Sequence, residues 1–97
     1  MSKKFRLALV GATGVVGKTA RKVLSEKELP ISEYVFFASS KSAGKEISFM
    51  GKKYVIQELT ENSFDSGFDF AIFSAGGKIS KKFSPIAKSK GCIVIDN

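Results

Sequence analysis

The chain contains no histidine, one cysteine and only two prolines among its 97 residues. Without histidine it lacks the side chain most often used as a general base near neutral pH. A thiolate at Cys92 would have no imidazole to lower its pKa. A single cysteine excludes an internal disulfide, which fits a reducing, cytoplasmic setting. No apolar run approaches the ~18 residues of a membrane span. "LALV", behind the basic start, is too short for a signal h-region. Internal repeats and low-complexity tracts are also missing. The length argues for one domain, with a core limited to the roughly 60–70% of surface that so short a chain can bury.

Acid is scarce too. Nine Asp and Glu face sixteen Lys and Arg, giving a net charge of +7. Three readings compete: plain solubility, nucleic-acid binding, and a positive field around an anionic ligand. The lysines are scattered, paired only at Lys3–Lys4, Lys52–Lys53 and Lys81–Lys82, and no nucleic-acid motif is present. An anionic ligand needs fewer assumptions than nucleic acid, which is not expected as a partner; nor is a membrane.

What is present is an alternation of strands and helices. "FRLALV" (5–10) reads as a strand buried on both faces. Residues 15–27 read as a helix, with Val15, Val16, Thr19, Val23 and Leu24 on its apolar side and Pro30 beyond its end. "YVFFAS" (34–39) reads as a second strand and 40–45 as a loop. "EISF" and "KYVIQE" flank Met50-Gly51, which predicts a hairpin. "TENSFDSG" reads as a turn, with a single helical turn capped by Asn62 or Ser63. "FDFAIFSA" (68–75) is the next buried strand. Residues 78–90 read as a helix that Pro85 either kinks or restarts, with Gly91 ending it. "CIVID" (92–96) is the last strand.

This order predicts an α/β fold: a Rossmann-like, mostly parallel sheet with flanking helices. The sequence ends directly after a strand, where such a fold should add a covering helix. We therefore expect a sheet incomplete at its C-terminal end, with residues 1–97 as one dinucleotide-binding domain of a longer protein.

"LALVGATGVVGKTA" carries Gly11, Gly14 and Gly17 between the first strand and the first helix. Glycine lets backbone approach a pyrophosphate without a Cβ in the way, and amides at the helix start donate to the anion. The spacing is G-x-x-G-x-x-G rather than G-x-G-x-x-G, so a merely tight turn remains an alternative. At the end of the second strand an NAD site usually has an acid that accepts from the ribose 2′-hydroxyl. Here stand Ala38, Ser39, Ser40, Lys41 and Ser42. Hydroxyls and a lysine suit a 2′-phosphate, so the residues favour NADP over NAD; a solvated loop is the bland alternative. Ser74, Ala75, Gly76 and Gly77, after another buried strand, would form the far wall of the same crevice.

Taken in order, "VGATGVVG", "ASSKSAGK", "FSAGG", "SPIAKSKG" and "VIDN" closely resemble the N-terminal part of bacterial aspartate-semialdehyde dehydrogenases, from about Phe5 to Asn97. The resemblance implies an NADP-dependent enzyme that reductively dephosphorylates aspartyl 4-phosphate to aspartate 4-semialdehyde, toward lysine, methionine and threonine. It places Thr13, Gly14, Val15 and Val16, with Gly11, in the pyrophosphate turn. Lys41 and Ser42, beside Ser39, match an Arg-Ser pair near the 2′-phosphate. Lysine there keeps the charge but loses the planar fork, which softens the NADP preference. Ser74 to Gly77 match a segment near the nicotinamide ribose.

The same resemblance shows what is missing. The family's chemistry needs an acyl-forming cysteine, an acid/base histidine and a phosphate-binding arginine beyond "VIDN". Cys92 lies in the apolar run "CIVI" and reads as a small buried hydrophobe. The expectation is no catalytic residue in these 97, no turnover by them alone, and aspartyl phosphate binding and homo-oligomer formation only in the full-length protein. The nearest enzyme alternative is an N-acetylglutamyl-phosphate reductase-like cofactor domain. A stand-alone nucleotide-binding module is the alternative outside enzymes.

Overall fold

The computed structural model describes residues 5–11, 14–26, 30–74 and 77–96. Nine elements follow one another: β1 (Phe5–Val10), α1 (Gly14–Glu26), β2 (Ile31–Ala38), β3 (Glu46–Phe49), β4 (Lys52–Val55), β5 (Gln57–Glu58), β6 (Phe70–Phe73), α2 (Gly77–Ser89) and β7 (Ile93–Asp96). Five of the strands form one sheet in the order β5-β2-β1-β6-β7, and every pairing in it is parallel. β3 and β4 form a separate antiparallel hairpin. This is the expected Rossmann-like architecture, with the sheet growing one way from β1 through β2 and the other way through β6.

The two faces of the sheet sort the strand residues by parity. Leu7 and Leu9 of β1, with Phe36 and Ala38 of β2, pack against Ala20 and Leu24 of α1 and against Phe49 of the hairpin. Ala8, Val10, Phe37, Ala71 and Phe73 pack on the other face against Phe83 and Ala87 of α2, joined by Phe64, Phe68 and Cys92. From Leu7 to Val10 both faces of β1 are buried, which is why this part of the strand is a continuous apolar run rather than an alternation.

Several boundaries differ from the sequence expectation. β2 begins at Ile31, three residues early, because Ile31 and Glu33 pair with Phe5 and Arg6 of β1. Ser32 and Glu33 break the apolar run but face outward, where polarity costs nothing. "KYVIQE" is not one strand. β4 ends at Val55, Ile56 turns into the core, and Gln57–Glu58 joins the main sheet beside Phe37 and Ala38. The switch happens at Ile56, whose amide and carbonyl bond to Lys45 and Gly44. β6 is shorter than 68–75. Phe68 stays in the core but lies off the strand, after the turn at Gly67 with φ 82°. Ala75 lies outside the described residues.

The buried stripe of α1 runs through Ala20 and Leu24, one turn apart, while Val23 is 43% exposed. Thr19 is exposed too. Ala20 and Leu24 centre the face turned to the sheet, and Val23 falls at its margin. Residues 61–66 form successive turns, with no helical turn. Thr60 heads them rather than Asn62 or Ser63: its hydroxyl accepts from the Asn62 amide (3.2 Å), and its own amide donates to the Ser63 hydroxyl (2.8 Å). α2 runs unbroken through Pro85, leaving the Lys81 carbonyl without its usual donor. At its end Gly91 (φ 86°) donates to Lys88 and Cys92 to Ala87, a Schellman cap that turns the chain directly into β7.

The Met50-Gly51 hairpin is as expected. Both residues have positive φ, 50° and 79°, the signature of a two-residue type I′ turn. No helix among the described residues is long and apolar enough to cross a membrane.

Candidate functional site

The sheet's direction of growth reverses between β1 and β6, so their carboxyl ends open the crevice where such folds take ligands. Val10 and Phe73 pair at those ends, which puts Gly11 and Ser74 next to each other. Gly11 has φ 82°, a conformation that costs other residues roughly 1–2 kcal/mol. Its amide donates to the Phe37 carbonyl of β2 at 2.9 Å. Its carbonyl accepts from the Ser74 hydroxyl at 2.9 Å. The glycine turn is therefore tied to the strand on each side of β1.

Ser74 does the tying. It is buried. Its amide reaches the Val10 carbonyl at 2.9 Å, and its hydroxyl lies 3.0 Å from the same oxygen. The hydroxyl has one proton for two carbonyls, so it works on the backbone of the turn and offers a ligand only its lone pairs. α1 starts at Gly14 and has no acid in its first turn. Its leading amides are unpaired by helix geometry and its dipole is positive there. α2 likewise starts at Gly77 with no acid in its first turn. Thr13, Ala75 and Gly76 lie outside the described residues, as do the side chains of Val15 and Val16.

The loop after β2 reaches the same end of the sheet. The Ser39 carbonyl accepts from the amides of Ser42 and Ala43, both at 3.0 Å. This closes a single tight turn and leaves the amides of Ser40 and Lys41 without an acceptor inside it. Ser39, Ser40 and Lys41 are exposed and Ser42 is half-buried. Gly44, at φ 90°, ends the loop and bonds to Ile56 at 2.8 Å, so the hairpin anchors it. Sequence reasoning missed this anchor; its one trace was a glycine after Ser-Ala. Among the described residues the ion pairs are Arg6–Glu33 and Lys90–Asp65, so Lys41 is not neutralised by a carboxylate. The site thus joins two helix starts, one glycine turn and one cationic loop, all favourable to a phosphorylated anion and none bearing an acid.

Cys92 is elsewhere. It is buried beneath α2, and burial pushes its thiol up, with Asp69 adding to the effect. A raised thiol is the reverse of what a nucleophile needs. Among the described residues no cluster of His, Cys, Asp or Glu could hold a metal ion.

The chain is similar to aspartate-semialdehyde dehydrogenases. It is 48% identical to the aspartate-semialdehyde dehydrogenase of Campylobacter jejuni, over all of this chain and 29% of that protein. It is 50% identical to the enzyme of the same name from Aquifex aeolicus, over 96% of this chain and 27% of the relative. A crystal structure of aspartate semialdehyde dehydrogenase II from Vibrio cholerae, complexed with ASA, superposes with a TM-score of 0.88 at 45% identity, covering 98% of this chain and 31% of that one. The chain thus spans under a third of the length of these relatives. Residues 6–97 match the family model described as semialdehyde dehydrogenase, NAD binding domain, and the chain belongs to that family.

Proposed function

We propose that residues 1–97 form the NADP-binding domain of an aspartate-semialdehyde dehydrogenase, which reductively dephosphorylates aspartyl 4-phosphate to the semialdehyde. The observation that carries this reading is the pinned glycine turn at the switch point, facing a loop of hydroxyls and one lysine where an NAD site would hold an acid. The fit is chemical as well as geometric. Gly11 allows close backbone approach, and the amides at Gly14 to Val16 receive the pyrophosphate, with Thr13 beside them. Ser39, Lys41 and Ser42 hold the 2′-phosphate, with the Ser40 and Lys41 amides available beside them. Ser74 positions the glycine turn, and Ala75, Gly76 and Gly77 border the nicotinamide ribose.

When bound, the cofactor supplies the hydride. This chain's residues bind and orient it but hold no group to attack or protonate the substrate. On this reading the acyl-forming and acid/base residues, substrate binding and oligomer contacts are supplied by further chain. A cytoplasmic setting follows from the biosynthetic role.

Fluorescence titration of NADPH and NADH tests the reading. An exposed lysine–phosphate contact contributes roughly 1 kcal/mol, so NADPH should bind about fivefold tighter. Ser39→Asp should abolish or reverse the preference. Equal or tighter NADH binding by the unaltered chain refutes the NADP assignment. The 97 residues alone should show no semialdehyde-dependent reduction of NADP; turnover would refute the division of labour.

A further inference from the structure

Lys18, Arg21, Lys22 and Ser25 stand at i, i+3, i+4 and i+7 on α1, so they share one face of the helix. That face meets the tip of the β3–β4 hairpin, where Ser48, Phe49 and Met50 complete a cleft of about 360 Å³. It is not the side of α1 that packs on the sheet, which is carried by Ala20 and Leu24. Nor is it the glycine turn. Lys18 lies roughly 6 Å and Ser25 roughly 16 Å along the helix axis from Gly14, at 1.5 Å per residue. Across the hairpin, Ser48 pairs with Lys53, so Lys53 stands on the same hairpin face and adds to the positive field.

No acid balances these cations. The ion pairs among the described residues are Arg6–Glu33 and Lys90–Asp65, and no Asp or Glu lines the cleft. Lys18 and Lys22 are like charges at i, i+4, which weakens a helix. Arg21 is the clearest case. Its Nε is enclosed by the protein and has no hydrogen-bond partner. A buried donor on a cation is costly without an acceptor, and native structures leave few such groups unmatched. Partial desolvation also strengthens the pull of this guanidinium on an anion at its other nitrogens. Solubility alone needs only scattered lysines; it does not require three cations gathered in one cleft.

We propose that the cleft between α1 and the hairpin tip binds a small phosphorylated anion, at a site separate from that of the cofactor, with Arg21, Lys18 and Lys22 holding the phosphate. The guanidinium offers a planar fork to two phosphate oxygens, and the two ammonium groups supply charge. Ser48 is exposed and its hydroxyl can donate. Ser25 cannot, because its proton goes to the Lys22 carbonyl at 2.7 Å. Phe49 and the 55% exposed Met50 give the organic part of a phosphomonoester an apolar wall. The cleft volume falls within the roughly 300–1,000 Å³ of small-ligand sites. Three cations converging on one cleft match a single phosphate better than the spaced phosphates of a nucleic-acid strand. The site does not depend on the cofactor assignment.

Amine-reactive labelling of the full-length gene product, read lysine by lysine by mass spectrometry, tests the proposal. The probes are inorganic phosphate and glycerol phosphate, with sodium chloride at equal ionic strength as the control and excess NADPH to fill the cofactor site. At about 10 mM, a ligand of roughly millimolar Kd fills about nine-tenths of its sites, so labelling of Lys18 and Lys22 should fall at least about threefold. Lys82 and Lys88, exposed on α2, should not change. Protection by inorganic phosphate shows that the phosphate group suffices; protection by glycerol phosphate alone shows that the organic part is required. Arg21→Gln should abolish the protection of both lysines, and Lys22→Gln, at an exposed position, should weaken that of Lys18. Four results overturn the site: no protection by either probe, equal protection by chloride, protection by NADPH alone, or protection that survives Arg21→Gln. A full-length product in which neither lysine labels without ligand overturns it too, because protein then covers the cleft.

Discussion

Replacing Ser74 with alanine removes one hydroxyl and creates almost no cavity. That hydroxyl lies 3.0 Å from the Val10 carbonyl and 2.9 Å from that of Gly11. The Val10 oxygen keeps its bond from the Ser74 amide, at 2.9 Å. The Gly11 oxygen loses this donor but sits in a half-exposed residue, where water can replace it. The loss is therefore one neutral hydrogen bond, about 1 kcal/mol, without the further 1–3 kcal/mol of an orphaned buried carbonyl. In urea, with a slope of roughly 1–3 kcal/mol/M for a small protein, the midpoint should fall by about half a molar. Ser89→Ala is the control. Its hydroxyl also reaches a carbonyl, Ile86 at 2.7 Å, but on an exposed helix end, where the change should stay within about 0.5 kcal/mol. Ser74→Ala should also weaken NADPH binding, because the glycine turn is no longer held to β6. Equal midpoints for the two variants, with cofactor affinity unchanged, would refute the role assigned to Ser74.

Arg6 should matter far more than its ion-pair partner. Its guanidinium bonds to the Ser66 and Gly67 carbonyls at 2.7 Å each and lies 4.6 Å from the Phe68 ring centre, whereas the Glu33 carboxylate is half-exposed. Arg6→Ala should cost about 2 kcal/mol and Glu33→Gln under ~1 kcal/mol in equilibrium unfolding; equal losses would contradict this. Met50→Asn should raise thermal stability by up to roughly 1 kcal/mol, since asparagine tolerates the left-handed conformation that Met50 adopts at φ 50°; a lower Tm would show that Met50 makes a contact worth more than its strain. The Cys92 thiol has its folded pKa raised by burial. The unfolded chain therefore ionises first, at about pH 8.5, so the stability tied to the neutral thiol is complete below that pH and declines as pH rises. Cys92→Ala should flatten that alkaline decline in urea midpoints taken across the range; an unchanged slope would mean that the thiol does not contribute to it.

Elements whose burial is uniform and whose punctuation is local are legible in the chain alone. Leu7 to Val10 of β1 are an unbroken apolar run, and Gly11 follows where a positive φ is needed. The Met50-Gly51 turn and the Gly91 cap are set by backbone sterics within a few residues, which any reader of the chain can see. The absence of an acid in residues 39–42 is likewise a fact of sequence, and the NADP reading proposed above rests on it together with the glycines. Tertiary structure alone decided what depends on partners far along the chain. Ile31 became strand because Phe5 pairs with it. Ile56 split one apparent strand into two because both a hairpin and a sheet edge compete for its neighbours. Val23 lies at the margin of the face that Ala20 and Leu24 turn to the sheet. Ser74 was legible as a wall residue, but its hydroxyl's commitment to the turn 63 residues earlier was not. Local propensities act over a few residues, whereas a hydrogen bond or a buried face depends on which distant segments the fold brings together. The apolar face at Ile93 and Ile95 shows the same limit from the other side: "CIVID" reads as the last strand, and only the packing of α2 on its opposite face decides that these two isoleucines are 60% and 46% exposed.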